Sequence, residues 1–171
     1  MVIGDKVHAL NLSVGISVRM LKSSSREMKR KYGNLIYLYN WFREVLGLKQ
    51  TRYLVTADGK KYHGKAVEIM VANYGVVGLN LLEPPFEIHP ADGKADVLIF
   101  KPKTLWDLPV MLWQALIRRQ KKGPNFLQLQ ASSTITIETK NPMDVQADGE
   151  LIGKTPVSVA VIPRCVAVIV P

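Results

Sequence analysis

The segment Val145-Gln146-Ala147-Asp148-Gly149-Glu150-Leu151-Ile152-Gly153-Lys154 has the pattern of two short strands joined by a tight turn. Asp-Gly is a strong signal for a two-residue β-hairpin, because a type I′ turn needs positive φ at both central residues and Gly adopts it without steric cost. The turn brings together two carboxylates, Asp148 and Glu150. An acid in this position can accept a proton or bind a metal, but most Asp-Gly-Glu turns are solvated hairpins, and the local pattern leaves both interpretations open.

Short strands separated by turn residues make up most of the remaining sequence. Residues 134–139 alternate polar and apolar side chains with a period of two, as expected for a half-buried strand. Many short strands with frequent turns predict a mainly β protein, an antiparallel β-sandwich or barrel. The other predicted strands are residues 7–20, 53–56, a return strand at 65–72 after the Asp58-Gly59 turn, 95–100, 126–130, 143–147, 157–162 and 165–170.

Two α-helices are predicted as insertions in this β pattern. Apolar residues recur at spacings of three and four over residues 35–46 and again over about 105–120. The fold class predicted is therefore an antiparallel β-sandwich with two inserted α-helices.

The two Asp-Gly turns lie in similar sequences. Residues 55–59 read Val-Thr-Ala-Asp-Gly and residues 145–149 read Val-Gln-Ala-Asp-Gly. Lys60 follows the first turn and Glu150 follows the second, so the second turn is the better candidate for a chemical role. A single pair of similar hairpins more often reflects convergence on the same turn than duplication.

Length and composition favour one domain, residues 1–171, in a reducing compartment. A chain of 171 residues is long enough for a hydrophobic core without disulfides. The only cysteine, Cys165, lies in an apolar run, which predicts a buried and inert thiol. No apolar stretch is long enough to span a bilayer and no signal peptide is recognisable, so a cytoplasmic protein is expected.

Positive charge is concentrated in the first part of the chain. The net charge is +9, and residues 1–70 contain 13 Lys and Arg against 5 Asp and Glu. The densest stretch is residues 19–31, and a second cluster occupies 118–122. Such clusters favour an anionic partner such as nucleic acid, acidic lipid or a phosphorylated ligand, although a solvated helix face is an equal alternative.

The sequence lacks the motifs of several enzyme classes. The sequence has no Gly-rich nucleotide-binding loop. His8, His63 and His89 are too far apart for a typical zinc motif. Neither a serine-nucleophile elbow nor a Cys–His pairing is present.

The order of several weak motifs resembles the C-terminal β-sandwich domain of the diacylglycerol kinase-like lipid kinases. That family includes sphingosine and ceramide kinases and the bacterial soluble lipid kinases. The resemblance covers nearly the whole chain, and it depends on order and spacing rather than on any one motif. The similar segments are Leu10-Asn11-Leu12-Ser13-Val14-Gly15, residues 28–37, residues 73–78, residues 90–97, Asp148-Gly149-Glu150 and the terminal residues 166–171.

The resemblance implies one half of a two-domain enzyme. Family members place the active site between an N-terminal nucleotide-binding domain and this sandwich, and the sequence contains no counterpart of the N-terminal domain. ATP is therefore expected to bind only together with that domain, and the chain alone is expected to be inactive. Glu150 matches the family's general base, which deprotonates the lipid hydroxyl, and Asp148 matches the carboxylate beside it.

A structural Mg²⁺ site is also implied by the resemblance. The matching positions are Asp92 for a carboxylate ligand, with His89 and Lys94 for backbone carbonyl ligands. Hard oxygen donors suit Mg²⁺. A plain Asp-Gly turn at Asp92-Gly93 is the alternative.

The partners implied are a diacylglycerol-like lipid substrate and the N-terminal kinase domain, with residues 19–31 contacting the membrane surface. The main alternative is a freestanding β-sandwich module that binds an anionic lipid or a phosphorylated ligand without catalysis. A nucleic-acid-binding domain is supported only by the net charge, and no nucleic-acid partner is expected.

Overall fold

The computed structural model of the chain describes residues 1–23, 47, 49–73, 88–89, 91–104, 106–107, 125–163 and 165. Within these residues the chain forms twelve β-strands and one α-helix. The helix α1 spans Ile16–Ser23. The strands are β1 Val2–Ile3, β2 Lys6–Val7, β3 Asn11–Gly15, β4 Thr51–Ala57, β5 Lys60–Ala66, β6 Glu68–Ala72, β7 Ala95–Phe100, β8 Phe126–Ala131, β9 Thr134–Thr139, β10 Asp144–Ala147, β11 Glu150–Lys154 and β12 Val157–Ala160.

The strands form two six-stranded sheets. The first sheet has the order β2-β1-β12-β9-β4-β5, and the second has the order β11-β10-β3-β6-β7-β8. Every strand pair among the described residues is antiparallel. The predicted antiparallel β-sandwich is confirmed.

The main core lies between the two sheets. On β9, Ile135 and Ile137 are fully buried, whereas Thr134 and Glu138 are exposed, as their alternation predicts. Burying a side chain of this size stabilises the fold by roughly 1.5–3 kcal/mol. Fully buried residues that meet these two in the core include Leu12, Val14, Val55, Ile69, Val71, Val97, Ile99 and Val145.

The centre of the second sheet is buried on both faces. All five residues of β6 and the first five of β7 are buried. On the face away from the main core, Met70 and Leu98 pack with Ile88 in a smaller cluster. Four buried polar side chains lie on that same face: Ser13, Glu68, Asp96 and Gln146.

Both Asp-Gly turns have the predicted conformation. The φ angles are 46° and 80° at Asp58 and Gly59, and 49° and 88° at Asp148 and Gly149. These positive values are those of a type I′ turn, whose twist matches that of the flanking strands.

The predicted return strand at residues 65–72 is wrong. The strand that returns from the Asp58-Gly59 turn is β5, Lys60–Ala66, which pairs with β4 along its whole length. The chain then crosses to the other sheet at Val67, and β6 begins at Glu68. The polar sequence of β5 lacks the apolar alternation that indicates a strand, because an edge strand needs few buried side chains.

The predicted strand at residues 7–20 is also wrong in its second half. β3 ends at Gly15, and the chain enters α1 at Ile16. Gly15 has a φ of 135°, and a Cβ there would lie 2.3 Å from the Val67 carbonyl oxygen. Only glycine permits this close approach. The β-branched Ile16 and Val18 favour a strand locally. The tertiary contact at Gly15 overrides this local preference, and a helix follows.

Other predictions fall outside the described residues. The helix predicted at residues 35–46 lies wholly outside them, and of the helix at about 105–120 only residues 106 and 107 are described. The predicted burial of Cys165 is wrong, because this thiol is exposed where the chain has left the sheets after β12. No helix in the described part of the chain is long and apolar enough to cross a membrane.

Candidate functional site at one end of the second sheet

Glu150 is presented at the tip of the β10–β11 hairpin. It is the first residue of β11, it pairs with Ala147, and its side chain is exposed. No hydrogen bond or ion pair joins its carboxylate to another residue in the described part of the chain. The group is therefore available to an incoming ligand.

Asp148 fastens this hairpin to the segment that precedes β3. One carboxylate oxygen accepts hydrogen bonds from the backbone N–H groups of Leu10 (3.1 Å) and Asn11 (2.9 Å), and the other accepts one from Ala9 (2.9 Å). The Asp148 N–H donates in turn to the Asn11 carbonyl, at 3.0 Å. The turn is thereby fixed relative to the sheet.

The ionisation of Asp148 reflects these contacts. Partial burial acts to raise the pKa of its carboxyl group, but the hydrogen bonds from Asn11, Ala9 and Leu10 outweigh it and hold the pKa below its ordinary value. His8 Nδ1 lies 3.6 Å from an Asp148 oxygen and adds a weaker lowering effect. Asp148 is accordingly a charged acceptor for backbone donors at neutral pH, and its catalytic assignment stays a prediction.

Gln146 provides a second connection to the turn. Its side-chain Nε2 donates to the Asn11 Oδ1, at 3.1 Å, and its Oε1 accepts the Gly149 N–H, at 2.9 Å. The side chain is buried. Gln146 carried no local signal as a site residue, because its partner Asn11 is 135 residues away in the sequence.

Asn73 ties the same segment to the end of β6. Its side-chain Nδ2 donates to the Ala9 carbonyl, at 3.1 Å, and its backbone N–H donates to the Leu10 carbonyl, at 2.9 Å. The segment before β3 is thus held from two sides, by Asp148 and by Asn73.

The predicted metal ligands lie in the loop before β7. The Asp92 N–H donates to the His89 carbonyl at 3.3 Å, and the Asp92 Oδ1 accepts the Lys94 N–H at 2.9 Å. Gly93 has a φ of 75°. This is a tight Asp-Gly turn with a carboxylate and backbone carbonyls in one loop, and these oxygen donors suit Mg²⁺ in type.

Asp96 is a buried carboxyl group next to this loop. Burial raises its pKa, and the nearby Asp92 carboxylate raises it further, while hydrogen bonds from Gln128 and Gln130 act in the opposite direction. Gln128 Nε2 donates to Asp96 Oδ1 at 2.8 Å. Among the described residues no group of three or more His, Cys, Asp or Glu side chains is arranged to hold a metal ion.

The two groups of predicted site residues lie at the same end of the second sheet. β10 ends at the turn that carries Asp148 and Glu150, and β7 begins directly after Lys94. Two antiparallel strands, β3 and β6, separate them. At the usual spacing of about 4.8 Å the two strands are roughly 14 Å apart, so a substrate lying across this end could reach both loops.

Comparison with known proteins identifies the family. Residues 11–170 match the family described as the YegS C-terminal NAD kinase beta sandwich-like domain. The chain belongs to this family. The resemblance inferred from the order of motifs, to the C-terminal sandwich domain of diacylglycerol kinase-like lipid kinases, is confirmed.

Curated relatives of this family extend well beyond the matched segment. A Staphylococcus carnosus (strain TM300) protein named "Putative lipid kinase" is 22% identical over 156 residues, which cover 91% of this chain and 51% of that protein. A Staphylococcus haemolyticus (strain JCSC1435) protein of similar name is 23% identical over 158 residues, 92% of this chain and 51% of that protein. The chain spans about half the length of these relatives.

Solved structures show the same fold. The crystal structure of a diacylglycerol kinase from Bacillus anthracis str. Sterne aligns with a TM-score of 0.66 and 22% identity, over 92% of this chain and 50% of that one. A second structure from the same strain gives a TM-score of 0.68 at 17% identity, over 94% of this chain and 51% of that one. At this identity the likeness concerns the fold.

Proposed function

We propose that this chain is the lipid-substrate and catalytic-base domain of an ATP-dependent, diacylglycerol-type lipid kinase. The supporting observation is the Glu150 carboxylate, exposed and unpaired within the described residues, on a turn that Asp148 and Gln146 fasten to the sheet. A general base needs this combination of access and fixed position. The nucleotide would be bound by a further domain corresponding to the other half of the relatives.

In the proposed reaction Glu150 accepts the proton of the lipid hydroxyl. The hydroxyl oxygen forms a bond to the γ-phosphorus of ATP, and the bond from that phosphorus to the bridging oxygen breaks, which releases ADP. Phosphoryl transfer depends mainly on positioning and on neutralisation of charge. Asp148 contributes indirectly, because it fixes the turn that carries the base.

The loop before β7 is the proposed Mg²⁺ site. Asp92 would supply a carboxylate oxygen, and His89 and Lys94 would supply carbonyl oxygens. A bound cation there would stabilise the loop that borders the proposed lipid site. Millimolar Mg²⁺ should raise the melting temperature of the chain, Asp92→Asn should remove that increase, and Asp5→Asn should retain it; a wild-type melting temperature unaffected by Mg²⁺ would contradict the assignment.

Membrane contact through residues 19–31 is proposed for a chain expected to be cytoplasmic and peripheral. Only residues 19–23 of this segment are described, and within them Lys22 Nζ is paired with Asp144 at 2.6 Å. Each basic residue near an anionic surface contributes about 1 kcal/mol. Co-sedimentation with vesicles should increase with anionic lipid content and decrease with salt; binding that responds to neither opposes the proposal.

A hybrid enzyme tests the proposed function. This chain would replace the matched half of the Staphylococcus carnosus relative, and transfer of labelled phosphate from ATP to dispersed diacylglycerol would be measured. The hybrid should phosphorylate the lipid, and each half alone should not. A folded hybrid without lipid kinase activity contradicts the proposal.

A further inference from the structure

A groove of about 670 Å³ runs along the opposite edge of the sandwich from Glu150. It lies between the edge strand of the first sheet, β5, and the edge strand of the second sheet, β8. Its volume is that of a small-molecule site. In the second sheet four strands separate β8 from β11, so at about 4.8 Å per strand the groove is roughly 24 Å from the hairpin that carries Glu150.

The walls of the groove are strongly basic. Lys61 and Lys65 come from β5, and Lys101 and Lys103 come from the segment that follows β7. No carboxylate lines the groove in the described part of the chain, and none of these four lysines forms an ion pair there. The nearby Asp107 carboxylate instead accepts the backbone N–H groups of Lys103 and Thr104, at 2.6 and 2.7 Å.

Four lysines and no carboxylate among the described lining residues give the groove a net positive charge. A groove with low-dielectric walls concentrates this positive potential and attracts anions. The backbone that carries three of the lysines is hydrogen-bonded in place, because β5 pairs along its whole length with β4, and the Lys101 N–H donates to the Asn125 carbonyl at 2.7 Å. The arrangement therefore favours a compact anion of high charge.

The floor of the groove is mainly apolar. Tyr53 is buried, and Tyr62 and Leu127 pack against the main core. Burial raises the pKa of Tyr53, so its phenol remains a neutral hydrogen-bond donor at neutral pH. Gly64 leaves the floor open, since a Cβ at that position would lie 3.2 Å from the Tyr53 hydroxyl oxygen.

We propose that this groove binds a phosphate ester that carries an apolar group. The phosphate would lie among Lys61, Lys65, Lys101 and Lys103, and the apolar group would lie on Tyr62 and Leu127. Such a ligand could be an amphiphile from a membrane or a soluble phosphate ester, and both share this recognition chemistry. The site is separate from the Glu150 turn and does not depend on the proposed kinase activity.

Titration of the full chain with three probes tests the assignment. The probes are inorganic phosphate, monomeric dihexanoyl phosphatidic acid and vesicles of phosphatidylcholine with phosphatidic acid, each followed by amide chemical shifts or, for vesicles, by co-sedimentation. The lipid monomer should saturate the groove and bind about tenfold more tightly than phosphate. Vesicle binding that the monomer displaces assigns the groove to a membrane lipid, and saturable binding of the monomer without vesicle binding assigns it to a soluble phosphate ester.

Lysine variants localise the binding. Lys61→Gln combined with Lys101→Gln should weaken binding of the lipid monomer by about tenfold or more. The matched control is Lys60→Gln, because Lys60 is the neighbouring residue on β5, carries the same charge and does not line the groove. Gly64→Ala should weaken binding of the lipid monomer, because the added methyl group crowds Tyr53, while the net charge of the groove stays the same.

Three results would overturn the proposal. They are the absence of saturable binding by either soluble probe, an equal loss in Lys60→Gln and the double variant, and tighter binding of a short single-stranded RNA that the double variant abolishes. The last result would assign the groove to nucleic acid instead.

Discussion

At the scale of single residues, Glu68 shows how a buried carboxyl group positions the helix α1. Its carboxylate accepts the backbone N–H of Ser17, at 3.1 Å, and the Ser17 hydroxyl, so it caps the first turn of α1. Burial raises the pKa of Glu68 to about 7, and the bonds from Ser17 and Ile16 and the charge of Arg19 only partly oppose that effect.

Glu68 should make the stability of the fold depend on pH. The pKa is about 7 in the folded state and near 4.5 in the unfolded chain, so the folded state binds the proton more tightly. Stability is therefore highest below pH 4.5 as far as this group is concerned, and it falls as the pH rises toward 7, by on the order of 3 kcal/mol. Urea denaturation at several pH values should show this slope in the wild type and in Glu138→Gln, and its persistence in Glu68→Gln would contradict the assignment.

Gln146 and Ser13 form a matched pair for testing buried polar groups. They are neighbours in the register of β10 and β3, and both are buried. Gln146 uses its donor and its acceptor, whereas the Ser13 Oγ has no hydrogen-bond partner among the described residues. Gln146→Leu should lower the free energy of unfolding by about 1–3 kcal/mol, because the Asn11 Oδ1 and the Gly149 N–H each lose the hydrogen bond to this side chain.

Ser13→Ala should leave the unfolding free energy unchanged or raise it, because no bond is lost. Both variants are compared with the wild type by urea denaturation. Similar losses in the two would show that packing volume, rather than hydrogen bonding, determines the stability of this face.

At the scale of elements, the aspartates of the two Asp-Gly hairpins make the same kind of contact, in which the carboxylate accepts hydrogen bonds from backbone N–H groups. Asp148 binds the backbone before β3, and Asp58 binds the backbone N–H groups of Ser132, Ser133 and Thr134, at 2.7, 2.9 and 3.0 Å. Hydrogen bonds from Ser132, Ser133 and Thr134 lower the pKa of Asp58 well below its ordinary value. Each aspartate thus joins its own hairpin to a connection that is distant in sequence.

The Asp148 contact should be lost in acid. Its pKa is lower in the folded state than in the unfolded chain, so its stabilisation is complete above the ordinary value of 3.8 and disappears as the pH falls through the folded pKa. Asp148→Asn should lower the melting temperature at pH 7, and the difference from the wild type should shrink below pH 4. Asp5→Asn is the control and should match the wild type at each pH; a difference at Asp148 that stays constant with pH would contradict the electrostatic explanation.

The local sequence pattern predicted the elements in which buried and exposed residues repeat with a single regular period. Residues 134–139 were predicted as a strand with the bounds that β9 has, because one face is buried and the other is solvated. The start of α1 and the course of β5 were not predicted. α1 depends on Glu68, which is 51 residues from Ser17, and β5 is a polar edge strand.

The same distinction applies to the candidate site. The proximity of Asp148 and Glu150 followed from the turn signal alone, since they are two residues apart. Asn11, Gln146 and Asn73 hold the turn and its neighbouring segment in place through contacts across 64 to 135 residues, which no local pattern can show.

At the scale of the whole molecule, the sandwich presents two separate candidate surfaces. The Glu150 turn and the Asp92 loop lie at one end of the second sheet, near its β11 edge in the case of Glu150. The basic groove lies at the opposite edge, between β5 and β8. The first surface is proposed to face the lipid and a nucleotide-binding domain. The second is proposed to bind a phosphate ester, independently of catalysis.

The most direct test of the central claim is the phosphoryl-transfer rate of the hybrid enzyme with Glu150→Gln. This substitution keeps the size of the side chain and removes its ability to accept the proton, so the rate should fall by about a hundredfold or more, while the folded content and melting temperature remain those of the wild type. Glu138→Gln, which alters an exposed carboxylate on the other sheet, should retain full activity. A Glu150→Gln hybrid that phosphorylates diacylglycerol at the wild-type rate would contradict the role of Glu150 as the general base.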